Sequence, residues 1–251
     1  MRSETTAASP RRAPELLGQT VICIGGSAGI GLETARRARA EGADVVLTGR
    51  NADRLTQAAA EVDAQRTAAF DATDTDALRD FFEELSGPID HVLVTAGGPR
   101  YVPLLEMDSA DVREALGAHA VLGLEVARNA KAKMRPGGTL ILMGGTGGRR
   151  IDHRLGIVSA ATATLPPFTA ALALELAPIR VNLIAAGFVD TPLSASLLGA
   201  QLETRRSELR TTLPIGRVVG PEDVAALAVH LMANTALTGA TYDIDGGQQF
   251  V

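Results

Sequence analysis

The 251-residue chain has one cysteine, Cys23, so neither an internal disulfide nor a cysteine-rich zinc site can form. Aromatic residues make up 3% of it, too few for the stacking platforms that hold single-stranded nucleic acid. Positive charge is not in excess: 24 basic against 29 acidic residues leave a formal net charge of −5, which argues against a nucleic-acid partner. Long apolar runs are missing too. No stretch approaches the roughly 18 uninterrupted apolar residues of a membrane span. Residues 1–17 are polar, carry Pro10 and Pro14, and lack the apolar core of a secretory signal. They predict a disordered arm over residues 1–16, then one domain over residues 17–251, in a cytoplasmic protein with no membrane partner. No spacing of His, Cys, Asp and Glu matches a metal motif, and no metal is expected.

What is present is 46% hydrophobic residues and 26 glycines, in a length ample for a self-sufficient core. Short β-branched runs predict strands over residues 20–24, 44–48, 67–70, 91–94, 139–143, 180–184 and 240–244. Helical patterns lie between them, over residues 29–41, 52–62, 75–85, 109–134, 156–177, 195–209 and 221–232. Pro166 and Pro167 should kink or restart the fifth of these helices, since proline lacks an N–H and crowds the preceding turn. Repeated βα units need crossover connections, and crossovers make parallel sheets. The expected fold is α/β, a doubly wound Rossmann fold. It has an about seven-stranded, mostly parallel sheet with helices on both faces and its ligand at the carboxyl ends of the strands.

Directly after the first strand comes Gly25-Gly26-Ser27-Ala28-Gly29-Ile30-Gly31, opening a helix. Glycines let the backbone approach a ligand closely. A helix start offers free N–H groups and partial positive charge to a phosphate. Its place between strand and helix, at the head of a βα series, makes this turn a candidate dinucleotide site.

The spacing of Gly25, Gly29 and Gly31 resembles the turn of the short-chain dehydrogenase/reductase family. Phe70-Asp71-Ala72 resembles that family's Asp beside the adenine, and Thr95-Ala96-Gly97 its Asn-Ala-Gly after the fourth strand. Ala186-Gly187-Phe188-Val189-Asp190-Thr191-Pro192 resembles its nicotinamide segment, with Ala186 in place of proline, and Asp245-Gly246-Gly247 its C-terminal Asp-Gly-Gly. The resemblance runs from about Leu17 to the end. It implies a nicotinamide coenzyme held by Gly25, Ser27, Ala28, Gly29, Ile30, Gly31, Asp71, Ala72, Ala96, Gly97, Gly187, Val189 and Thr191, a small-molecule substrate, and a homodimer or homotetramer.

A coenzyme with a free 2′-hydroxyl wants a carboxylate at the end of the second strand, whereas a 2′-phosphate wants a cation there. Here that strand ends Thr48-Gly49-Arg50-Asn51. Arg50 offers a planar fork to phosphate oxygens, with Asn51 beside it, and the expected coenzyme is NADP(H).

The family's catalytic set is Ser, Tyr and Lys, with an Asn on the preceding long helix. A lysine ammonium lowers the tyrosine pKa so that the phenol exchanges a proton with the substrate. Aligned from Ala171 to Pro178, the tyrosine place holds Val158, the lysine place Thr162 and the serine place Gly145, with Thr146 next to it. The Asn place holds His119, which either hands over a proton or makes a structural hydrogen bond. Asp152 and His153 form either an acid–base pair or a charged loop, and Tyr101 either lines the pocket or packs beside it. Arg100, Arg149, Arg150 and Arg154 suggest an anionic substrate. Three functions stay open. One is an NADP(H)-dependent oxidoreductase for a carbonyl, alcohol or imine-type substrate with unusual proton donation. Another is a catalytically inactive NADP(H)-binding sensor or partner subunit. The third is a dehydratase or isomerase using the same cleft.

Overall fold

A computed structural model of the chain describes residues 13–149, 151, 153 and 155–251. Seven strands form one sheet: β1 (Thr20–Ile24), β2 (Asp44–Gly49), β3 (Arg66–Ala69), β4 (Ile89–Val94), β5 (Met134–Gly145), β6 (Arg180–Ala186) and β7 (Thr241–Ile244). Their order is β3-β2-β1-β4-β5-β6-β7, and every pairing is parallel. The doubly wound α/β expectation is met. Strand order reverses between β1 and β4, so the crevice for a ligand opens beyond the carboxyl ends of those two strands.

Helices cover both faces, and the strands are therefore apolar on both. Ile22, Ile24, Val92, Val94, Leu140 and Leu183 face one core, closed by α3 (Thr75–Glu83), α4 (Ser109–Ala130) and α6 (Leu165–Glu175). Val21, Cys23, Val45, Leu47 and Ile141 face the other, closed by α1 (Gly29–Ala40), α2 (Ala52–Val62) and α9 (Pro221–Ala233). This is the period-two alternation of a strand. Cys23 is fully buried, and burial pushes its thiol up to about 12.

Several boundaries differ from expectation. The long helix α4 stops at Ala130 rather than 134, because Met134 already pairs with Ile89 as the first residue of β5. The run after residue 156 is two helices, α5 (Gly156–Ala163) and α6, with Pro166 and Pro167 in the first turn of the second, where a missing N–H is harmless. That run, Gly156–Glu175, is long and apolar enough to cross a bilayer, with mean hydropathy 1.5, yet it packs on α4 and β6. The segment after β6 likewise divides into α7 (Pro192–Leu198) and α8 (Leu202–Thr212). Residues 1–12 of the expected arm lie outside the described residues. Leu16, also placed in that arm, is buried in the core, and its N–H donates to Glu41 O at 3.0 Å.

Candidate active site

The glycine turn is held from three sides. Gly25 and Gly26 donate their N–H groups to Thr48 O, at 3.2 and 2.8 Å. Thr95 Oγ1, at the end of β4, lies 3.1 Å from both Ile24 O and Gly25 O and donates to them. Gly25 takes φ +95°, and a Cβ there would meet Thr95 Oγ1 at 2.7 Å. Helix α1 then begins with Ala28 as its N-cap, without a side-chain cap and without an acid in its first turn. Its leading N–H groups, on Gly29, Ile30 and Gly31, have no intrahelical acceptor and face the crevice end of the sheet. A phosphate fits this cradle, which offers free N–H groups, no acidic side chain in the first turn, and glycines at positions 29 and 31.

At the end of β2, Ser27 lies against Gly49, with Oγ 3.0 Å from where a Cβ would stand. A carboxylate side chain there would displace Ser27. Arg50 is exposed and close enough to Asp71 to help hold its carboxyl below the usual range. The larger causes of that depression are the N–H and hydroxyl of Thr73, which donate to Asp71 Oδ1 at 3.0 and 2.8 Å. Asn51 caps α2, its Oδ1 accepting from Arg54 N at 2.8 Å. Ala72 is buried. Ala96 packs on the core, and Gly97 takes φ +99°.

Across the crevice, Thr191 packs on the turn, with its Cβ 3.4 Å from where a Gly29 Cβ would stand. Gly187 sits tightly on Asp245, and Phe188 N donates to Gln248 Oε1 at 2.7 Å. Val189 is buried and bridges to Val219. Asp190 Oδ1 accepts from Arg206 at 2.7 Å, which ties α8 to this segment. Gln248 was not foreseen; its partner lies 60 residues away in sequence, and no local pattern marks it.

The catalytic candidates divide. His119, Val158 and Thr162 line one cavity of about 90 Å³ between α4 and α5. His119 is mostly buried, which pushes its pKa down, and neither ring nitrogen has a hydrogen bond among the described residues. The Thr162 hydroxyl donates back to Val158 O at 2.9 Å. Thr146 is buried in a short 3-10 turn after β5, and beneath that turn the buried Ser159 Oγ has no partner among the described residues. Ser159 was also unforeseen. Tyr101 lies beyond the cavity wall formed by Gly98, Pro99 and Arg100; it is 42% exposed, and burial of the rest raises its pKa while Arg205 on α8 opposes this. His153 is exposed, and Asp152 lies outside the described residues. The arginine cluster does not stand as four free cations. Arg100 binds Asp111 at 2.6 Å and Arg149 binds Asp243, while Arg150 and Arg154 lie outside the described residues. Among the described residues no cluster of metal-ligating side chains occurs.

Comparison with known proteins agrees with the fold. Residues 25–249 match the family described as enoyl-(acyl carrier protein) reductase. The short-chain dehydrogenase/reductase ATR9 of Stachybotrys chlorohalonatus is 30% identical over 249 residues, covering 93% of this chain and 98% of that one. An NADP-dependent (R)-specific alcohol dehydrogenase of Lentilactobacillus kefiri is 30% identical, covering 92% of this chain and 97% of that one. The solved structure of BdcA in complex with NADPH superimposes with a TM-score of 0.80 at 28% identity, covering 93% of this chain and 95% of that one. The glycine turn, the sheet order and these matches together make the chain a member of the short-chain dehydrogenase/reductase family.

Proposed function

We propose that the protein is an NADP(H)-dependent oxidoreductase that acts on a small carbonyl, alcohol or imine-type substrate without the family's tyrosine–lysine pair. The observation that carries the coenzyme reading is the end of β2. There Gly49 and an exposed Arg50 stand where a carboxylate would otherwise select a free ribose hydroxyl, beside the uncapped start of α1. The NADP-dependent relative and the NADPH-bound neighbour support it. Bound NADPH would supply a hydride to the unsaturated carbon of the substrate.

The residues divide the rest of the work. N–H groups of Gly29, Ile30 and Gly31 would hold the pyrophosphate. Ser27, Ala28, Arg50 and Asn51 border the 2′-phosphate, Asp71 and Ala72 the adenine, and Ala96 and Gly97 the ribose. Gly187, Val189 and Thr191 border the nicotinamide. His119 handles the proton where one is needed: it lines the cavity, and among the described residues its ring has no hydrogen-bond partner. Thr146 offers a hydroxyl from the loop after β5, and Tyr101, Asp152 and His153 border the substrate entrance. The same scaffold assembles into a homodimer or homotetramer through α4 and α6, whose Val121 and Leu174 are 53% and 83% exposed.

Calorimetry with NADPH and NADH, paired with NADPH oxidation across carbonyl and imine substrates, tests this reading. Tight NADPH binding with turnover is the expected result. Tight binding without turnover would mark a coenzyme sensor, and absence of binding would overturn the assignment. His119→Ala should slow reduction of a neutral ketone by about a hundredfold, the usual scale of general acid catalysis.

A further inference from the structure

The cavity between α4 and α5 narrows the substrate further, on the premise that the coenzyme reading above holds. Hydride addition to a ketone leaves an alkoxide, so a proton must arrive in the same event. The α5 wall is ill-equipped to send one. It carries Ile157, Val158, Ala161 and Thr162, and the Thr162 hydroxyl points its proton into the helix, at Val158 O and Ser159 O, 2.9 and 3.2 Å away. Titratable groups reach the cavity from α4, as His119 and Glu114, and from the loop after β4, as Arg100. Arg100 is bound to Asp111 at 2.6 Å, and Glu114 and Asp108 lie within electrostatic reach of it. One guanidinium thus sits among three carboxylates, of which Glu114 lines the cavity. Apolar atoms of Ala115, Ala118 and Ile157 form much of the wall.

We propose that this cavity takes a substrate with a cationic carbon–nitrogen double bond, an iminium ion. Hydride from NADPH forms a bond to the carbon, and the π electron pair moves onto nitrogen. The positive charge disappears, and a neutral amine leaves beside NADP⁺. No proton changes hands, so replacement of the phenol and ammonium by Val158 and Thr162 removes nothing the reaction needs. An ammonium at position 162 would repel such a substrate. Burial keeps His119 neutral near pH 7, so it adds no like charge. The Glu114 carboxylate attracts the cation, and the apolar wall receives its hydrocarbon body.

The test uses the full chain with NADPH and two substrates of matched bicyclic skeleton, N-methyl dihydroisoquinolinium and a tetralone. The expected kcat/KM is about a hundredfold higher for the iminium, and its rate is flat across the range where histidine titrates. Glu114→Gln should raise KM for the iminium about fivefold to tenfold, leave kcat in place and leave the ketone unaffected. The same variant should weaken binding of the non-reducible N,N-dimethyl tetrahydroisoquinolinium by a similar factor in calorimetry without coenzyme. Equal or faster turnover of the tetralone overturns the proposal, as does a Glu114→Gln variant that binds both cations like the parent. If NADPH itself does not bind, the coenzyme reading falls and takes this one with it. NADPH binding with ketone preference sinks the iminium assignment alone.

Discussion

A side chain on Gly31 would place its first carbon 2.4 Å from the carbonyl oxygen of Gly25, so the two ends of the phosphate turn are in direct contact. The contact is backbone against backbone position, and no flexible group can yield. Gly31→Ala should therefore force the turn open, lowering stability by about 1–3 kcal/mol. NADPH affinity should fall at least tenfold in titration calorimetry, while the far-ultraviolet circular dichroism keeps its α/β shape.

Exchange of charge at the end of β2 should change coenzyme choice. Arg50 is exposed and not engaged in a salt bridge among the described residues, so Arg50→Asp should weaken NADPH binding by about tenfold to a hundredfold through loss of a charge-assisted contact. NADH binding should change little. Equal losses for both coenzymes would remove Arg50 from the 2′-phosphate site.

Restoring the family's proton machinery is a gain-of-function experiment. The double variant Val158→Tyr, Thr162→Lys puts a phenol and an ammonium four residues apart on α5, beside a cavity of about 90 Å³ that can receive the larger ring. Ketone reduction should rise by about a hundredfold or more, the scale of general acid catalysis. Iminium turnover should fall, because the new ammonium repels it.

His91 should make the fold acid-sensitive. It is buried in β4, Nε2 on Gln19 Oε1 at 2.5 Å, and Nδ1 has no partner among the described residues. Burial pushes its pKa down to about 4, with Asp90 opposing and Arg180 assisting. The unfolded chain binds that proton near pH 6.5, the native chain only near 4, so stability is complete above about 6.5 and declines as pH falls toward 4. The loss approaches about 3 kcal/mol across that window. His91→Gln should flatten the corresponding part of a plot of urea midpoint against pH.

The exposed apolar residues of α4 and α6 should matter only to assembly. Val121→Arg with Leu174→Arg puts charge on a face that the monomer leaves open. Sedimentation should shift toward the monomer, and NADPH affinity should stay within about twofold because neither residue approaches the glycine turn.

Much of this molecule is written locally. Strands β1 and β2 and helix α2 follow from β-branched runs, an Asn cap and apolar periodicity within a few residues, and the phosphate turn from glycines placed between strand and helix. Less legible is whatever depends on distant partners. Met134 looks like the end of a helix until Ile89, 45 residues earlier, claims it for the sheet. Arg100 and Arg149 look like free cations until Asp111 and Asp243 appear beside them. Glu114 carries no motif at all, and only the cavity between two helices gives it a meaning.

The one thiol of the protein is sealed inside the central sheet, with its deprotonation suppressed. Alkylating reagents and mild oxidants should leave the native enzyme untouched, so loss of activity under such reagents would report unfolding rather than chemistry at Cys23. The same sealing makes the surface a blank page for labels. A cysteine introduced at the rim of the crevice would be the sole reactive sulfur, and a fluorophore placed there could follow ligand entry without background.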